Sequence, residues 1–126
     1  MRIGSIACAA IAALSATAAF AQNWVHYDTS GGIISYFATQ SLRRNGTTVR
    51  VWIRRDLRGD PQEDSAEARA LYRVDCAEET LTLLSLRLYD EEGRNTFSTN
   101  VPAADQEAYP VAPGTSGANF LDAVCT

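Results

Sequence analysis

The chain has 126 residues, with eleven arginines, no lysine, fifteen carboxylates and one histidine, for a net charge of −4. A polypeptide of this size builds one domain around one core and leaves no room for a separate catalytic domain. Its acidic balance argues against nucleic acid or an anionic membrane as a generic partner. From the N-terminus, Arg2 supplies a short basic region, Ile6 to Leu14 an apolar one, and Ala19-Phe20-Ala21 a small-x-small cleavage site. Residues 1–21 therefore read as a signal peptide and 22–126 as the secreted domain, with ten arginines against fifteen carboxylates, hence −5. The competing reading is an uncleaved anchor. The apolar stretch is near the lower limit for spanning, and Gly4, Ser5, Ser15 and Thr17 interrupt it, so no stable membrane insertion is expected.

The mature chain carries mostly the two-residue period of strands. Trp24–Tyr27 and Ile33–Ala38 are apolar-aromatic runs separated by Thr29-Ser30-Gly31-Gly32, a turn. Asn45-Gly46 is a second turn signal. The strand after it, Thr47–Arg55, alternates with Val49, Val51 and Ile53 on one face and Arg50, Trp52 and Arg54 on the other. Asp56 to Glu67 is polar, contains Gly59 and Pro61, and reads as a surface loop with room for one helical turn. Ala70, Tyr72, Val74 and Cys76 resume the alternation. Leu81 and Leu83 are followed by Leu84, Leu86 and Leu88, and this change of phase predicts a β-bulge at 83–84. Asp90 to Asn95 turns the chain, and Asn95–Val101 returns as a hairpin partner.

Pro113-Gly114-Thr115-Ser116 stops the extended backbone and offers a hydroxyl cap. Phe120, Leu121, Val124 and Cys125 then fall at helical spacing. Cys8 leaves with the signal, and the seven residues before it are too few for a lipoprotein apolar region. Cys76 and Cys125 remain, and in an oxidising compartment they are expected to form a disulfide that fastens the terminal helix to the sheet. Closing that loop contributes about 4 kcal/mol by the chain-entropy relation.

Trp24, Val49-Arg50-Val51-Trp52, Tyr72-Arg73-Val74-Asp75-Cys76, the turn from Tyr89 to Gly93, and Val111-Ala112-Pro113-Gly114-Thr115 leading to Val124-Cys125 occur in one order over nearly the whole mature chain. In that order they resemble the surface-adhesin protein E family of small exported bacterial domains. The resemblance implies an α+β fold: a curved antiparallel sheet of about six strands with one C-terminal helix tethered by a disulfide. It also implies a non-enzymatic protein-binding domain of the bacterial envelope, engaged in cell adhesion to host extracellular-matrix proteins and able to pair as a homodimer. Periplasm and cell surface both remain open as destinations.

Arg58-Gly59-Asp60 spells the integrin-recognition tripeptide in a loop expected to be exposed; a polar turn that arises by chance is the competing reading. Arg50, Trp52 and Arg54 either present a cationic-aromatic patch to a partner or lie packed under the helix or a loop. His26 has no nucleophile motif beside it and reads as an ordinary strand residue, so no catalytic residue is assigned. The carboxylates Asp56, Asp60, Asp64 and Asp90, Glu91, Glu92 follow no calcium-loop spacing, and no metal or cofactor is called for. The alternative function is a periplasmic inhibitor of the lysozyme-inhibitor kind or an envelope accessory protein. Those inhibitors resemble a Ser-Gly-x-x-Tyr loop, and Ser30-Gly31-Gly32-Ile33-Ile34-Ser35-Tyr36 is one residue too long for it.

Overall fold

The alternating segments assemble into a curved antiparallel sheet closed on one face by the terminal helix. The computed structural model describes residues 23–126; the export signal and Cys8 inferred above lie outside the described residues. The strands are β1 (Trp24–Ser30), β2 (Ile33–Ala38), β3 (Arg43–Asn45), β4 (Thr48–Asp56), β5 (Glu67–Asp75), β6 (Thr80–Tyr89), β7 (Asn95–Asn100) and β8 (Ala108–Pro110), followed by α1 (Ser116–Val124). Six of them form the continuous path β1-β2-β4-β5-β6-β7. The two short strands finish its ladders: β3 pairs with the start of β4 where β2 has left it, and β8 pairs with the start of β6 where β7 does not reach. Eight segments thus occupy six ladder positions, in agreement with the expected sheet.

One local expectation is corrected, and the expected bulge is found. The 57–66 loop forms successive turns without a helical turn, because Pro61 and Gly59 interrupt any local ladder of i→i+4 bonds. On β6, Leu71 faces Ser85 and Tyr72 faces Leu83, so Leu84 is the extra residue of the bulge and the inward phase resumes at Leu86. The phase change was visible in the sequence, but not which leucine it leaves unpaired.

Val49, Val51, Ile53, Ala70, Val74 and Phe37 face one side of the sheet and enclose Phe120, Leu121 and Val124 of α1. Burying three such side chains contributes roughly 1.5–3 kcal/mol each, and this holds a nine-residue helix that would not persist alone. Tyr27 and Tyr72 close on the Phe120 ring, with centroids at 5.0 and 6.0 Å. Polar contacts then fix both ends of the helix. Thr115 caps its start by accepting the Ala118 N–H at 3.2 Å. Asn119 donates to buried Asp28 on β1 at 2.7 Å, and this bond, more than any other, holds the Asp28 carboxyl below the usual carboxylate range. Arg44 of β3 donates to the carbonyls of Val124 and Thr126 at 2.8 and 2.9 Å, where the helix has unpaired acceptors.

The Cys76–Cys125 disulfide is formed, with its Cα atoms 5.7 Å apart, and joins the end of β5 to the end of α1 across 49 residues. Cys125→Ser is expected to cost about 4 kcal/mol and to lower the thermal midpoint by roughly 15–30 °C, read by calorimetry of the oxidised protein. A drop of only a few degrees would mean that packing and capping hold the helix unaided.

Candidate functional site

With α1 on one side, alternation sends Arg50, Trp52 and Arg54 of β4 to the other, together with Arg69, Leu71 and Arg73 of β5. Strand register then makes a row across the sheet, in which Tyr36 faces Arg54, Arg54 faces Arg69, Arg69 faces Arg87, and Arg87 faces Ser98. Adjacent strands lie about 4.8 Å apart, so three arginines stand at neighbouring positions, an arrangement that like-charge repulsion disfavours.

Two features offset the repulsion. Glu67 accepts the Nε–H of both Arg54 and Arg69, lying between them as a shared counter-ion. Aromatic faces take up the rest. Arg54 lies over Tyr36 at 4.9 Å and Trp24 at 5.9 Å, Arg69 over Tyr89 at 5.4 Å and Trp24 at 5.7 Å, and Arg87 over Trp52 at 5.2 Å. Each such contact is worth roughly 0.5–1 kcal/mol at an exposed site. Trp24, Trp52, Arg69, Arg87 and Tyr89 line a depression of about 190 Å³. It shares Arg69 and Tyr89 with a cleft of about 320 Å³ that reaches Arg54 and Arg58 and is also lined by the carboxylates Asp56, Glu67, Asp90 and Glu91. It shares Arg87 and Tyr89 with a groove of about 430 Å³ that runs to Ser98 and Asn100 on β7.

Of the residues singled out from the sequence, Trp52 and Arg54 belong to this cluster, and Trp52 is half-buried on the face opposite the helix. Arg50 shares that face but stands apart, exposed and in register with Arg43 and Arg73. Arg58 folds back onto Asp56, to which it gives its Nε–H at 2.9 Å and a terminal N–H at 2.7 Å. Gly59 presses against the Gly31-Gly32 turn so closely that a Cβ on it would collide with the Gly32 carbonyl. Asp60 accepts the Gln62 N–H within its own turn. The guanidinium and carboxylate of Arg58-Gly59-Asp60 are therefore both engaged by their own loop. His26 is exposed and meets Thr29 at 2.7 Å. Among the described residues no three His, Cys, Asp or Glu side chains gather as metal ligands, and no helix is long and apolar enough to cross a membrane. Sequence reading missed Trp24, Tyr36, Arg69, Arg87 and Tyr89 as members of the site. Their outward phase was available, but their proximity depends on register.

This geometry was compared with known proteins. The profile of the surface-adhesin protein E family matches residues 24–126. The chain belongs to that family. None of the curated proteins matches it by sequence. Among solved structures, crystal form II of Haemophilus influenzae protein E is similar with a TM-score of 0.55 at 19% identity, covering 79% of this chain and 91% of that one. A second structure of H. influenzae protein E gives 0.54 at 18% identity, with coverages of 82% and 93%. Protein E from non-typeable H. influenzae gives 0.55 at 15% identity, with coverages of 91% and 82%. At these identities the structures bear on the fold, which they share. Family membership places the chain among exported, non-enzymatic protein-binding domains.

The Arg58 hydrogen bond is the main cause that lowers the Asp56 carboxyl from its ordinary 3.8 to about 2. A depressed folded-state value contributes stability that is complete above the unfolded value and is lost as pH falls through the folded one, here between about pH 4 and 2. Carboxyl NMR titration is expected to find Asp56 near 2 and to find it moved up towards 3.8 in Arg58→Gln. An unchanged midpoint in that variant would show that Arg58 is not the group that lowers Asp56.

Proposed function

We propose that the domain docks a protein partner on the open face of its sheet, with Trp52, Arg54, Arg69 and Arg87 as the contact centre, and that it serves adhesion to host extracellular-matrix proteins. The observation that supports this reading is the row of three arginines seated over aromatic rings on a face without a helix, in a chain whose overall charge is negative. Tryptophan, tyrosine and arginine are the side chains that carry most binding energy at protein interfaces. Arg50 extends the patch along β4. Arg58 lines the adjoining cleft, but with both charged ends occupied the Arg58-Gly59-Asp60 tripeptide is a weaker contact for an integrin-type receptor.

Residues 1–21 are proposed to be the cleaved signal peptide, and 22–126 the domain delivered to the cell surface. Pairing as a homodimer belongs to the same proposal. Fractionation with protease treatment of intact cells tests the destination. Surface exposure is expected; protection in the periplasm would overturn adhesion and leave the inhibitor or accessory role, which a lysozyme inhibition assay then addresses.

Trp52→Ala is expected to weaken binding to immobilised matrix protein by about 2 kcal/mol, roughly thirtyfold, while thermal stability changes much less than in a core variant. Unchanged affinity in that folded variant would remove the open face from recognition.

A further inference from the structure

A guanidinium seated over an aromatic ring uses its flat face, so its in-plane N–H groups stay available to oxyanions. The guanidinium carbons of Arg54, Arg69 and Arg87 lie 4.9, 5.4 and 5.2 Å from ring centroids, within the range of such contacts. Glu67 takes only the Nε–H of Arg54 and Arg69, which leaves their terminal nitrogens uncommitted. Among the described residues Arg87 has no carboxylate within ion-pair distance, and its side chain is exposed. Of the nearby carboxylates, Asp56 is paired with Arg58, and Asp90 and Glu92 share Arg94, while Glu91 lines the Asp56 end of the cleft without an ion pair among the described residues, so the cationic character is strongest from Arg69 to Arg87. Because the chain is acidic overall, long-range attraction does not account for anion binding, and the local array must do so.

We propose that the groove over Arg54, Arg69 and Arg87 binds a sulfated glycosaminoglycan chain, with sulfates on the guanidiniums and sugar hydroxyls on Ser98 and Asn100. This assignment rests on the open face being the recognition surface. Three arginines on adjacent strands, whose backbones lie about 4.8 Å apart, form a compact cationic cluster that suits a ligand with densely placed oxyanions. An extended acidic peptide directs its side chains to alternate sides and sets those on one side about 6.6 Å apart, a sparser array. The groove also runs on as a linear path. At its β7 end the charged lining gives way to Ser98, Thr99 and Asn100, neutral groups that donate and accept as sugar hydroxyls do. The arginine fork suits bidentate bonding to sulfate.

The test titrates the disulfide-intact exported protein with heparin, with desulfated heparin and with polyglutamate in parallel. Salt-sensitive heparin binding is expected, with no binding of the desulfated chain and much weaker binding of polyglutamate. Arg87→Gln is expected to weaken heparin binding roughly tenfold and Arg87→Lys less. Thermal midpoints of the variants confirm that each is folded. Absence of heparin binding, equal binding in folded Arg87→Gln, or polyglutamate binding as tightly as heparin would each overturn the site. Matrix protein held through Trp52 without heparin affinity sinks the glycosaminoglycan site and leaves protein docking standing; heparin held through Arg87 without matrix-protein binding does the reverse.

Discussion

Attachment of α1 to one face of the sheet is the constraint from which the remaining organisation follows. A curved sheet of six ladder positions has two faces, and a nine-residue helix covers only one of them. Phe120, Leu121 and Val124 supply the apolar driving force, Asp28–Asn119 sets the helix along β1, Arg44 closes its C-terminal carbonyls, and Cys76–Cys125 fastens its end to β5. Removing water from one face concentrates the branched aliphatic side chains there. The other face is left to side chains that tolerate water and still pack.

Arginine over aromatic rings meets that requirement. The guanidinium groups lie over part of the indole and phenol surfaces of Trp24, Trp52, Tyr36 and Tyr89. A bare aromatic face of this extent would invite nonspecific association. In the proposed role, the same device holds the cations in place before a ligand arrives, which lowers the entropy lost on binding.

Much of this was legible in the sequence where the signal is local. The alternation from Val49 to Arg54 gave the two faces of β4, the Leu83-Leu84 phase change gave the bulge, and Thr115 before Phe120-Leu121 gave the helix start and stripe. The Asp56-x-Arg58 spacing also carried a local signal, for the ion pair that closes the Arg-Gly-Asp loop, and it went unread. Other features depend on register and had no local trace. Arg54, Arg69 and Arg87 come from three strands, and their row requires both the 76–79 turn and the placement of Leu84 as the extra residue. β3 and β8, at three residues each, are too short for a period, so the Arg44 clamp on the helix could not be anticipated.

Both tryptophans lie on the open face, so their fluorescence reports on it directly. Collisional quenching by iodide and by caesium measures the charge around them. The account predicts that iodide quenches more efficiently than caesium in the free protein and that a bound matrix protein suppresses the iodide effect. Indoles that respond equally to both ions, with no change on binding, would contradict an open, cationic recognition face.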